Sequence, residues 1–354
     1  MAVLRRIPVQ VWVLALVLAC WALAAATHLR DVESWPVYPY LTAALLGIGL
    51  FASTSGIEVS QARAHRRIIA LAITIGVLAK ALIIGAVLYA ATGDPLMWVL
   101  GVAVAQIDPL SVACLMTNRR MSERARTILA AWASFDDPMT VILVVYAAAV
   151  ATTSFGLGHP SARSPLGGLA VYSLDLGANL ALAALTYLCW RALRPCPRGR
   201  AVALGLLGAV AVWQFLMLAI ALAGLFVRAP GRARTMRRLT TGALLVSGAL
   251  LGVLLVQGVD LGRGVLLGSM AFVAQILAAT ALTRGMPQTD RVHLALAQQN
   301  GITAIILALR LETQFTGATA VTAPAIVVTN LVHATANRLW DRRTRPGPQN
   351  GPRG

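Results

Sequence analysis

Eleven nearly continuous apolar stretches divide the chain, near residues 9 to 27, 38 to 57, 67 to 91, 96 to 117, 127 to 153, 169 to 193, 201 to 227, 239 to 258, 263 to 284, 292 to 311 and 316 to 338. They run longer than any buried strand, so each predicts a helix, and about 20 such residues cross a ~30 Å hydrocarbon layer. The polar positions gather between them. Arg63, Arg66 and Arg67 follow the second stretch, Arg119, Arg120, Arg124 and Arg126 the fourth, and the arginines from Arg191 to Arg200 the sixth. By the positive-inside rule these loops and both termini face the cytoplasm, while the acidic or charge-poor loops around Asp31 and Glu33, around Asp94, and from Thr153 to Pro165 face out. The first stretch, behind Arg5 and Arg6, is expected to remain as an uncleaved span, although Ala24, Ala25 and Ala26 also suit a signal peptide.

One stretch conflicts with this alternation. Residues 201 to 227 have Arg198 and Arg200 before them and Arg228, Arg232, Arg234, Arg237 and Arg238 after, so a single crossing would put one group outside. A hairpin near Trp213 and Gln214 keeps both groups inside. Its two arms, about 14 residues each, are short for a span and would thin the bilayer locally or extend into the loops. The fold class expected is therefore an all-α polytopic membrane protein of about 12 transmembrane helices, or 11 by plain hydropathy.

Composition agrees, with 58% hydrophobic and 12% charged residues, against roughly a quarter charged in a soluble domain. The net charge of +17 would suggest nucleic acid in a soluble chain; here the arginines serve topology, and no nucleic-acid partner is expected. Cys20, Cys114 and Cys189 fall in apolar stretches and Cys196 in a loop, with no metal-ligand or disulfide spacing. No phosphate loop, zinc motif or nucleophile elbow occurs. The segment 339–354, rich in Arg, Pro and Gly, reads as a disordered cytoplasmic tail.

Chemistry is sought in acids inside apolar stretches, because an ionisable group at the bilayer centre costs at least ~2.5 kcal/mol and is kept mainly to handle ions or protons. Asp108 lies mid-stretch in Gln106-Ile107-Asp108-Pro109, and the proline disfavours helix at the residue before it. A break there exposes half-helix ends that attract carboxylates and free carbonyls that can coordinate cations; a plain kink with Asp108 as a cap is the structural alternative. Asp136 and Asp137 are adjacent, about 100° apart on a helix, so at most one can aim at a shared cavity while the other faces a neighbouring helix. Two carboxylates so close in a low dielectric cannot both ionise easily, which suits one of them to exchanging a proton for a metal cation. A second interruption, Gln298-Gln299-Asn300-Gly301-Ile302-Thr303, reads as another broken helix or as interhelical hydrogen-bond glue. With the hairpin, this span runs opposite to the one holding Asp108, as inverted repeats require.

Ile107-Asp108-Pro109 followed by Asp136-Asp137, with Gly49-Leu50-Phe51 to Gly56-Ile57-Glu58 earlier and Asn300-Gly301 later, resembles the monovalent cation/proton antiporter superfamily, the bacterial sodium/proton antiporters and their relatives, over roughly residues 40 to 340. The resemblance implies two inverted core repeats, 67–153 and 263–338, whose broken helices cross beside the paired acids, with scaffold and homodimerisation helices at 1–66 and 154–262. It implies Asp137 as the carrier carboxylate, Asp136 as its partner and Asp108 as the charge that offsets the helix ends. All three would be ion- and proton-binding groups, with Pro109, Gln299, Asn300, Gly301 and Thr303 at the crossing. Two departures stand out. Ile107 replaces the usual threonine, and the family's lysine before the second broken helix is missing: between Arg263 and Arg284 only Ser269 and Gln275 are central and polar. The sole lysine, Lys80, lies mid-span in the third stretch, where it either supplies the missing cationic partner or pairs with Glu58 or a water-filled gap. His333 and Asn330, and Asp175 with Asn179, are further polar intrusions.

The function expected is exchange of a monovalent cation, Na+ or K+, for H+ across the bacterial inner membrane, without a cofactor, in a lipid-embedded homodimer. A same-fold cation-coupled symporter or potassium efflux system is the alternative. An aspartate-dependent intramembrane enzyme fits less well: positions 140 and 141 are Thr and Val, and no second aspartate cluster occurs.

Overall fold

The computed structural model describes residues 9–29, 31–55, 66–108, 121–156, 168–227 and 233–344. Among them there are helices and no strand. The helices are α1 (Val9–Thr27), α2 (Tyr38–Ser55), α3 (Arg66–Leu71), α4 (Val77–Thr92), α5 (Pro95–Ala103), α6 (Glu123–Ser154), α7 (Gly168–Ala192), α8 (Pro197–Trp213), α9 (Met217–Phe226), α10 (Ala233–Leu254), α11 (Leu261–Leu282), α12 (Gln288–Ala295), α13 (Ile302–Glu312) and α14 (Ala318–Arg343). A single π-helical turn, Ala72–Gly76, joins α3 to α4. Five continuous helical runs among the described residues are long and apolar enough to cross a membrane. The outer surface is apolar, with Trp12, Leu18, Leu174, Leu188, Leu206 and Trp213 exposed, while Lys80, Asp136 and Asp137 lie inside. That inversion of the soluble pattern is the arrangement of a multi-pass membrane protein.

Helices in lipid gain little from burying apolar surface against one another, so they associate through close packing at small residues. The pairs most closely packed here follow that rule. Gly85 of α4 meets Gly101 of α5 almost backbone to backbone, Gly252 of α10 lies on Val17 and Cys20 of α1, and Gly264 and Gly268 of α11 lie on Pro324 and Ala325 of α14. A methyl group at any of these positions would collide with its neighbour.

The expected breaks are present. Helix α5 stops at Ala103 and residues 104–108 are not helical; α12 stops at Ala295 and α13 begins at Ile302. Pro109 lies outside the described residues. The stretch 201–227 divides into α8 and α9 at Gln214–Leu216, where Phe215 takes a left-handed conformation with φ of 57°. Asn179 of α7 accepts from the free N–H of Ala219 in the first turn of α9. Helix α14 continues to Arg343, so the expected tail from 339 begins as helix: its apolar turn about Leu339 and Trp340 carries the helix beyond the last hydropathic stretch.

Among the described residues two prolines sit beyond the first turn of a helix, and each orphans the carbonyl four residues back. Pro138 in α6 leaves Ser134 O, which accepts from Ser53 Oγ of α2 at 3.0 Å. Pro324 in α14 leaves Ala320 O, which accepts from the Asp260 N–H at 3.0 Å. In lipid no water would take these places. Ser53→Ala is expected to lower stability by about 0.6–2 kcal/mol, read as a shift in detergent-titration unfolding, whereas Ser53→Thr, which keeps the hydroxyl, retains most of it.

Candidate ion-binding site

The two unwound segments touch. The N–H of Asp108 donates to Gln299 O at 2.9 Å, and Gln298 Nε2 donates to Gln106 O at 2.7 Å and Val104 O at 3.2 Å. Backbone groups released by one break are thus satisfied by the other. The second segment is also tied to α14. Asn330 accepts from the Asn300 N–H at 3.1 Å and donates to Asn300 O at 2.8 Å, while Asn337 and His333 Nδ1 both reach Leu296 O. A carbonyl can only accept, so Nδ1 carries the histidine proton and Nε2 accepts from the Gln299 amide beside it.

Helix α6 delivers Asp136 and Asp137 to this crossing, both fully buried. One helical step separates their directions. Asp136 turns to α4, where its Oδ2 accepts from Lys80 Nζ at 2.6 Å and from the Ile107 N–H at 2.9 Å. The Lys80 ammonium also lies over the Trp132 indole, 5.3 Å from its centroid, and Trp132 is one helical turn before Asp136 on α6. Carboxylate and aromatic face therefore enclose the same charge. Asp137 turns to α13, where its Oδ2 accepts from Thr303 Oγ1 at 2.9 Å. The Gln106 amide, oriented by its neighbours, donates to Asp137 Oδ1 at 2.8 Å and accepts from the Ala304 N–H at 2.8 Å.

Asp108 is the third acid. Its carboxyl packs on Gly301, the N-cap of α13, so closely that any side chain at 301 would collide with it. A carboxylate at a helix N-terminus faces the positive end of the helix dipole.

Of the residues singled out from sequence, Asp108, Asp136, Asp137, Lys80, Gln299, Asn300, Gly301 and Thr303 all lie within this one network; Pro109 and Glu58 are outside the described residues. Lys80 meets Asp136 directly. Gln275 takes no part in these contacts and donates to Leu294 O at 3.0 Å. Asp175 and Asn179 bond to each other and to α9, apart from the crossing. Sequence reasoning missed Gln106 and Trp132. The amide of Gln106, alone among the apolar residues before Ile107, and the i, i+4 spacing of Trp132 and Asp136 were the available signals.

The chain has the fold of a monovalent cation/proton antiporter. The chain is similar to the sodium proton antiporter MjNhaP1 of Methanocaldococcus jannaschii, in its structure at pH 8, with a TM-score of 0.69 and 16% identity over 92% of this chain and 91% of that one. A second structure of that antiporter, from an electron-microscopy map, gives a TM-score of 0.58 and 16% identity over 84% and 80% of the two chains. No protein-family model and no curated protein matches the sequence.

Removing one partner of a buried ion pair strands the other charge, typically at about 3–5 kcal/mol, whereas removing both is far less costly. Lys80→Met is therefore expected to destabilise the protein by roughly that amount, and Asp136→Asn added to it to recover much of the loss. A double-mutant cycle on unfolding in detergent reads the coupling; additive single effects would contradict the pairing.

Proposed function

We propose that the protein exchanges a monovalent cation for protons across a bacterial inner membrane, with Asp137 as the group that binds either a proton or the partly dehydrated cation. The observation that carries this reading is the uneven partnering of the two adjacent acids. Asp136 has an ammonium on it, whereas the partners of Asp137 among the described residues are the neutral Thr303 hydroxyl and Gln106 amide. A buried carboxylate in so low a dielectric needs a positive charge or a proton, and among the described residues no cationic side chain is bonded to Asp137. The oxygens of Asp137, Thr303 and Asp108, with carbonyls of the unwound segments, are the hard donors that Na+ or K+ takes.

The MjNhaP1 fold supports a transporter rather than an enzyme, and one whose substrates are a cation and protons. In this reading the core repeats 67–153 and 263–338 form a unit that moves against the scaffold helices and carries the site between the two sides, within a homodimer embedded in lipid. Because proton and cation exclude one another at one carboxylate, and the bare buried charge is too costly to carry across, each ion's passage requires the return of the other.

In everted vesicles, adding sodium, potassium or lithium to a preformed ΔpH identifies the ion by the collapse it causes. Asp137→Asn is expected to abolish that collapse at every pH; unimpaired exchange would overturn the assignment. With the wild type, the cation concentration for half-maximal exchange should rise about tenfold for each unit the pH falls below the carrier's titration range, the mark of one-for-one competition. A half-maximal concentration independent of pH would exclude a shared site.

A further inference from the structure

Asp136 uses only one of its two oxygens. Its Oδ2 accepts from both Lys80 and the Ile107 N–H, while Oδ1, also buried, has no hydrogen-bond partner among the described residues. One helical turn further along α6 lies Thr140, 0% exposed, whose hydroxyl oxygen has no partner among them either. Other buried threonines, Thr42, Thr54, Thr186 and Thr329 among them, donate to the carbonyl four residues back. Thr140 does not. A polar atom buried without a partner is costly, and two of them one turn apart on the same helix call for a shared ligand.

We infer that Thr140 is a further ion-selecting residue: its hydroxyl oxygen and Asp136 Oδ1 accept the two hydrogens of a water that the transported cation keeps when it binds at Asp137. This rests on the reading of Asp137 as carrier and adds to it the fate of the cation's hydration. At 100° per residue, Thr140 points about 40° from Asp136 and about 60° from Asp137, between the two acids and about 5.4 Å along the axis. Residues three and four apart on a helix have Cβ atoms about 5–6 Å from one another, a gap that one water can span.

A water on a metal ion turns its oxygen to the ion and both O–H bonds away, so what must stand behind it is a pair of acceptors. The ion's charge strengthens those two bonds. Lys80 keeps Asp136 charged, and Oδ1 therefore remains an acceptor whether Asp137 carries a proton or a cation. The smaller and harder a cation, the more reluctantly it sheds water, as magnesium shows against calcium. A site that receives one water together with its ion lowers that cost most for lithium and sodium and least for potassium.

The test follows thermal unfolding of the purified full-length protein in detergent, with sodium, lithium or potassium chloride replacing choline chloride at constant ionic strength. Thr140→Val keeps the shape and removes the acceptor. In choline it is expected to unfold no lower than the wild type, because no bond within the protein is lost. It should need about tenfold more sodium or lithium for the same stabilisation, the worth of one hydrogen bond to a charged group, with a smaller change for potassium. Thr140→Ser, which keeps the oxygen, should retain most of the sodium response. A Thr140→Val protein with the wild-type response to sodium would overturn the inference, as would one that unfolds early in choline, where the hydroxyl would be holding the fold instead. Either result leaves the carrier reading standing if Asp137→Asn loses the sodium response. An Asp137→Asn protein that keeps it would overturn that reading and the inference with it.

Discussion

A peptide group in lipid has no water to turn to, and this constraint governs the whole molecule. Across most of the described residues the chain meets it with helix. At residues 104–108 and 296–301 it does so by bringing two interrupted segments together, so that the Asp108 N–H finds Gln299 O and the Gln298 amide finds the carbonyls of Val104 and Gln106. Asn330 and His333 of α14 complete the set from the side. Neither break would be tolerable alone. The prolines in α6 and α14 obey the same rule, their orphaned carbonyls taken by Ser53 and Asp260.

The crossing gathers charge for a related reason. Helix ends and free amides make a polar pocket inside an apolar body, and three carboxylates sit in it with different support: an ammonium for Asp136, a helix terminus for Asp108, neutral hydrogen bonds for Asp137. Adjacent positions on one helix cannot share a direction, and that elementary fact lets α6 present Asp136 to the Lys80 ammonium and Asp137 to the Thr303 hydroxyl.

Much of this was legible in the residues. Long apolar stretches define the helices, arginine asymmetry locates the division at Trp213 and Gln214, and Asp-Pro and Gln-Gln-Asn-Gly mark the two interruptions. What pattern could not give is which distant groups meet. Lys80 lies 56 residues from Asp136, and the two meet through the packing of α4 on α5 and α6, at glycines that read in sequence only as small residues. Gln106 was passed over because a lone amide carries no periodicity, and Trp132 because an aromatic in an apolar stretch looks like ordinary core. The extension of α14 to Arg343 escaped for the opposite reason: its last turns are charged and carry no hydropathic signal, while Arg342 and Arg343 suit the negative end of the helix.

The central claim is that cation and proton displace one another at Asp137, and the most direct measurement is of protons released when the cation binds. In weakly buffered detergent solution, at a pH where the site is proton-loaded, saturating sodium should release about one proton per wild-type chain and none from Asp137→Asn. Should sodium bind the wild-type protein, as heat or fluorescence would register, with no proton leaving, the account would be contradicted.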